Sequence, residues 1–176
     1  MLRAAVLAAL IAFPMDAVAL PWGKAKPPKP SETSQTCTDG KIWDATRKTC
    51  VNAEESHLTD DDRYEAAREL AHAGRYADAL TVLAAADDPD DPRILTYRGF
   101  AHRKTGDLNR AIGLYRAALV HAPDSHLTRS YLGQGLAEAG DLAGATAQLR
   151  EIRARGGRDT WAYQILKQSL AGKAAY

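Results

Sequence analysis

Between Asp60 and Leu170 the apolar positions of the chain recur at helical spacing, in runs broken by glycines. In the first run Tyr64, Ala67, Leu70 and Ala71 share one side of a helix, and after Gly74 the pattern resumes with Tyr76, Ala79, Leu80, Leu83 and Ala86. A second run places Leu95, Gly99 and Phe100 before Thr105-Gly106-Asp107, then Leu108, Ala111, Ile112, Tyr115, Ala118 and Leu119 before Pro123. A third sets Tyr131, Leu132, Gly133, Leu136 and Ala137 before Gly140, and Leu142, Ala145, Leu149 and Ile152 after it. Each run predicts two helices folded back on one another. Gly106 supplies a backbone conformation that ends a helix, and Asp107 can accept from the free amides of the next. Gly99, Ala111 and Ala118 lack bulk, so they mark where helices approach closely. Upstream, Thr59 with Asp60 to Asp62 predicts a cap for a helix beginning near Arg63. Downstream, Arg153 to Arg158 interrupts the pattern, and a last helix restarts at Asp159 or Thr160 with Trp161, Ile165, Leu166 and Leu170.

The three glycine turns are in register. Each has an apolar residue two positions after its glycine (Tyr76, Leu108, Leu142) and an alanine three beyond that (Ala79, Ala111, Ala145), and the glycines stand 32 and 34 residues apart. A period near 34 residues is that of tetratricopeptide repeats, and from Asp60 to Gly157 the chain resembles that family. In the middle unit the family's small residues match Gly99, Ala111 and Ala118, its aromatic matches Tyr115 and its proline matches Pro123. Arg98 and His102 depart, standing where the family places apolar or aromatic residues. The resemblance implies an all-α fold of three helix hairpins (60–91, 92–125 and 126–158) in a right-handed superhelix, with residues 159–176 as a capping helix and tail.

The resemblance also implies a function, because in this family the first helix of each pair lines a concave groove that receives a peptide or a partner helix. Carried over by register, the lining is Tyr64, Arg68 and His72, then Thr96, Phe100, Arg103 and Lys104, then Ser130, Gln134 and Glu138. Phe100 beside Arg103 and Lys104 suits an acidic segment with one apolar anchor. The lysine and asparagine pattern by which some members clamp a carboxylate is not matched.

The chain before the repeats has a different character. Residues 1–19 combine Arg3, an apolar run from Ala4 to Phe13 and Ala17-Val18-Ala19, which reads as a secretory signal. Residues 20–36, rich in proline and lysine, read as an extended, flexible, basic tether, either a solvated spacer or a contact for an anionic surface. Cys37 and Cys50, the only two cysteines, bracket β-prone Ile42 and Trp43 and a polar turn, so residues 37–51 predict a disulfide-closed hairpin. Trp43 either packs on the first repeat helix or is presented to a sugar or a partner.

Charge changes the picture only locally. The net charge is +1, giving no case for nucleic acid. Residues 54–92 carry 12 acidic and 3 basic side chains, whereas residues 93–176 carry 6 and 13. Such asymmetry can steer a charged partner, permit weak head-to-tail contact between copies, or be a solvated surface. Asp87 to Asp91 lacks the glycine and glutamate of a calcium loop and reads as a helix stop and restart. His57, His72, His102, His121 and His126 show no metal-site pairing, and no phosphate loop or nucleophile elbow occurs. The expectation is therefore a non-catalytic scaffold without metal or cofactor, exported to the periplasm or secreted, with no membrane span in the mature chain. It binds a protein or peptide of the cell envelope and serves in envelope assembly. The alternative is an envelope glycan or peptidoglycan binder acting through the disulfide loop and basic tail.

Overall fold

The computed structural model describes residues 27–172. The expected signal sequence at 1–19, the expected tether as far as residue 26 and the tail from 173 to 176 lie outside the described residues. In chain order the elements are α1 (Glu32–Gln35), β1 (Ile42–Asp44), β2 (Thr49–Val51), α2 (Asp60–His72), α3 (Tyr76–Ala84), α4 (Pro92–Lys104) and α5 (Leu108–His121). They continue with α6 (His126–Glu138), α7 (Leu142–Ala154), a 3-10 turn (Gly157–Asp159) and α8 (Trp161–Leu170). The pairs α2/α3, α4/α5 and α6/α7 each pack together, α3 joins the first pair to the second and α5 the second to the third. α8 closes the row against α6 and α7, while α4 also touches α2 and α6 directly.

Local chemistry sets these boundaries. Gly74, Gly106 and Gly140 end α2, α4 and α6 at φ of +80°, +90° and +88°, a region that strains any residue with a Cβ. Asp107 and Asp141 then cap α5 and α7 through the amides of Arg110 and Gly144. Thr59 and Asp62 form a reciprocal capping box, so α2 starts at Asp60, earlier than the apolar pattern predicts. Arg63 lies buried just inside that end, donating to Asp60 at 2.9 Å, Asp87 at 2.8 Å and the Ala53 carbonyl at 2.9 Å. Asp60 also accepts from the amides of Asp87 and Asp88, and Asp91 caps α4. The aspartate run thus ends one helix pair and starts the next.

The tether requires a correction at its end. Residues 31–36 are not extended, because Ser31 caps α1 and the buried Glu69 of α2 anchors it. The Glu69 carboxylate accepts from Ser31 N at 2.7 Å, Ser31 Oγ at 2.6 Å and Ser34 N at 3.0 Å, and these bonds hold it below its usual pKa against the opposing effect of burial. Cys37 and Cys50 are disulfide-bonded, and β1 pairs antiparallel with β2, Trp43 opposite Cys50. Ile42, Val51 and Ala53 enter the main apolar core beside α2 and α3. The hairpin is therefore an integral cover for the first helix pair, and Trp43 is half-buried in it.

Two helical glycines separate close packing from tolerance. A Cβ on Gly99 would lie 2.6 Å from Cε1 of Tyr115, a rigid and fully buried ring. One on Gly133 would lie 2.6 Å from Cδ2 of Leu166, the movable end of its side chain. Alanine gains about 1 kcal/mol of helix propensity over glycine, and overpacking costs about 1–3 kcal/mol. Gly99→Ala should therefore destabilise by about 1–2 kcal/mol and Gly133→Ala by less, with paired thermal melts as the check.

Candidate binding face

The ten residues expected to line a groove do fall on the three helices that lie side by side, α2, α4 and α6, but most are covered. Tyr64, Arg68, Thr96, Phe100, Arg103, Ser130 and Gln134 are all buried, while His72 and Lys104 are half-buried and Glu138 is exposed. The covering comes from the face's own aromatic residues. Tyr97 contacts the rings of Tyr64, Phe100 and Tyr131 with centroids 5.6, 5.8 and 6.3 Å apart, and Phe100 meets Tyr131 at 5.0 Å. Phe100 is 1% exposed and so cannot serve as an accessible apolar anchor. It is instead the floor on which charged groups stand.

Arg103 lies with its guanidinium 5.6 Å from the Phe100 ring centre and 5.9 Å from that of Tyr131, and it pairs with Glu138 across the α4/α6 boundary. Its stem passes Gly135, where a Cβ would make ordinary van der Waals contact with Arg103 Cδ at 3.5 Å. Lys104 holds its ammonium 5.7 Å from the centre of Phe100. Burial, then the charge of Arg103, lowers its pKa. The imidazole of His72 reaches the same ring, 5.3 Å between centroids, with Nε2 3.4 Å from the Tyr97 hydroxyl. Arg68, buried and paired with Glu65 at 3.2 Å, lies one helical turn before it.

The hydroxyl residues have a different task. Pro92 O can only accept, so Thr96 donates to it at 2.6 Å, which leaves Thr96 to accept from Thr128 at 2.7 Å and Thr128 to accept from Ser125 at 2.8 Å. This relay joins α4 to α6 beside a cavity of about 10 Å³ that Tyr64, Arg93 and Tyr97 also line. Thr96 is structural. Gln134 donates to Ser130 Oγ at 3.3 Å, while its own Oε1 has no hydrogen-bond partner.

No family model, curated protein or solved structure matches this chain. What the face can do is therefore argued from its geometry. Tyr97 was missed in the sequence, although it stands 34 residues before Tyr131 and one turn from Phe100. A second candidate surface is a cleft of about 410 Å³ between Pro28 to Thr33, the hairpin and α2, bordered by Trp43, Leu58, Asp61, Asp62, Glu65 and Glu69. Among the described residues no group of His, Cys, Asp and Glu is placed to hold a metal, and no helix is long and apolar enough to cross a membrane.

His72 makes stability depend on pH. Burial first, then the charges of Arg68 and Lys104, push its pKa down to about 4, against 6.5 for an ordinary histidine. The unfolded chain binds this proton below pH 6.5 and the folded chain only below about 4, so stability falls as pH falls through that window. The loss is at most about 3 kcal/mol, reduced by solvent reaching the half-buried ring. Denaturant titrations at pH 7 and pH 4.5 should show the loss, and His72→Gln should flatten it.

Proposed function

We propose that the chain is a non-catalytic tetratricopeptide-like scaffold, its helix pairs coiled into a right-handed superhelix, that binds another protein or peptide on the α2/α4/α6 face. The reading extends to an exported, periplasmic protein serving in envelope assembly, with residues 1–19 as its signal sequence. One observation carries the binding reading. His72, Arg103 and Lys104 converge on the Phe100 ring, and two of these basic side chains, His72 and Lys104, keep contact with solvent.

Desolvated cations are costly, and replacing such groups by apolar ones is often neutral or stabilising for a fold. Gathering them on one face therefore supports a ligand more than it supports stability. The burial of Phe100 changes what that ligand does. It engages the polar rim of His72, Lys104 and Glu138, and the aromatic residues hold the rim in place.

The test follows from the exposure pattern, because Lys104→Glu reverses charge at the rim without cutting into the core. A photo-crosslinking residue at Glu138 should capture one identified protein in cells that export the chain, and Lys104→Glu should reduce that capture at least tenfold. The same probe at Val120, a 78% exposed position on α5, should not capture it. Equal capture at both positions, or capture indifferent to Lys104→Glu, overturns the reading.

The glycan alternative has one supporting observation, Trp43 at the mouth of the 410 Å³ cleft, where an aromatic face and carboxylates could meet a sugar. Because residues 31–53 belong to the fold, deleting the hairpin is no test. Trp43→Ala is the cleaner variant. Loss of retention on isolated cell wall in that variant, with Lys104→Glu retained normally, would move the function from the helices to the hairpin.

A further inference from the structure

We infer that the cleft beside the hairpin is a second binding site, which takes a lysine side chain of a basic peptide segment between the Trp43 ring and the carboxylates of α2. The inference goes beyond the α2/α4/α6 reading and does not depend on it, because none of the ten residues of that face lines the cleft.

Three parts of the chain build this cleft, namely the N-terminal segment around Ser31 and Thr33, the hairpin and α2. Its volume of about 410 Å³ lies within the range of ligand sites, about 300–1,000 Å³. Asp61, Glu65 and Glu69 recur every fourth residue along α2 and so form one stripe, with Asp62 beside it, and all four border the cleft. Lys29, exposed at the rim, is the only lysine or arginine among the lining residues. Trp43 and Leu58 give the cleft an apolar side.

The four carboxylates differ in what already engages them. Asp61 pairs with Arg93 at 2.6 Å, Glu65 pairs with Arg68 at 3.2 Å, and Asp62 closes the capping box with Thr59. Asp61 and Asp62 also stand in the first turn, where a helix N-terminus favours negative charge. Glu69 has neither arrangement. It is 9% exposed and lies in the C-terminal half of α2. Among the described residues its donors are all neutral, Oε1 accepting from the amides of Ser31 and Ser34 and Oε2 from the Ser31 hydroxyl alone. Burial raises its pKa, but the bonds from Ser31 and Ser34 outweigh burial and leave the group ionised. Buried charges are ordinarily paired with opposite ones. A carboxylate oxygen has two acceptor positions, so Oε2 keeps one for a further donor. A buried anion with neutral partners and spare acceptor capacity, bordering an open cleft, is completed by a cation from outside.

Lysine has the matching chemistry. Its ammonium carries three donors, its aliphatic stem lies along apolar surface, and an indole is the best aromatic partner for a cation. The stem then rests against Trp43 and Leu58 while the ammonium reaches Glu69. The stripe of carboxylates repeats at about 6 Å along the helix, close to the spacing of about 6.6 Å between alternate side chains of an extended peptide. A neutral sugar stacked on Trp43 leaves the Glu69 charge without a counter-charge. Among the described residues no group of carboxylates is placed to hold a metal.

The experiment uses the mature chain, residues 20–176, and a doubly blocked peptide of alternating lysine and serine. Calorimetric titration should show binding that weakens with added salt and is lost when the lysines are acetylated, which keeps their stems and removes their charge. Glu69→Gln should weaken binding about tenfold, as for loss of a charged hydrogen bond. Trp43→Leu should weaken it about threefold, as for loss of an exposed cation–π contact. Because Glu69 also holds α1, NMR of the isotope-labelled, unaltered chain locates the site without a variant. The indole N–H signal of Trp43 should move on addition of the peptide and that of Trp161 should not. Equal binding of the acetylated peptide, an unmoved Trp43 signal, or binding unchanged in both variants overturns the inference. So does a neutral N-acetylglucosamine oligomer that moves the Trp43 signal when the lysine peptide does not, an outcome that favours the glycan alternative. Lys104→Glu, which tests the α2/α4/α6 face, should leave peptide binding unchanged, so the two readings fail separately.

Discussion

The contact of Phe100 with Tyr131, 5.0 Å between ring centres, is the constraint on which the α2/α4/α6 face depends. Phe100 belongs to α4 and Tyr131 to α6, and Tyr97 extends the contact to Tyr64 of α2. Ring contacts thus join α2 to α4 and α4 to α6. Whatever binds must lie on top of the rings, where the polar ends of long side chains emerge. The rings also give those side chains a place to lie, since Arg103 sits against two of them and Lys104 against one. Fully buried arginines are rare unless paired, and Arg103 meets that condition through Glu138, whose carboxylate reaches it from the next helix pair.

The N-terminal segment solves a different problem with similar means. A row of helix pairs leaves an uncovered side at each end. At the C-terminal end α8 is the cover, with Ala162, Ile165 and Leu166 turned inward and Gln164, Lys167 and Gln168 in solvent. At the N-terminal end the cover is built from very little secondary structure, so it depends on bonds. Glu69 holds α1, Arg75 donates to the Ser34 carbonyl at 3.1 Å, and Cys37–Cys50 closes the hairpin. Closing a loop of this length restricts the unfolded chain by about 3 kcal/mol in the chain-entropy account, which is a large share of the stability a segment with three core residues can have.

Much of this was legible in the sequence, and the boundary between what was and what was not is physical. Helix pairs, turns and caps are local, so Gly74, Gly106, Gly140, Asp107, Asp141 and Thr160 announced them through residue type and spacing. The disulfide followed from there being two cysteines. Burial of seven of the ten face residues did not follow, because it depends on how closely α2, α4 and α6 approach, which is fixed by ring packing between residues some 33 positions apart. Arg68 and Arg103 read as surface residues for the same reason. A charged side chain in a sequence carries no sign of the aromatic residue that will cover its stem. The docking of α1 was hidden too, since Glu69 looks like any polar position on a helix until its three donors from Ser31 and Ser34 are seen.

The energetic argument about the face therefore turns on placement more than on charge count. Arg110, Arg116 and Arg150 are exposed and interact weakly with anything through water. Lys104 and His72 stand where burial has already removed part of that screening, and their positions are fixed by Phe100 before any ligand arrives. Burial, with the charges of Arg68 and Lys104 added to it, keeps His72 neutral at the cost of stability in acid. The same packing that buries Phe100 thus sets both the position and the protonation state of the groups around it.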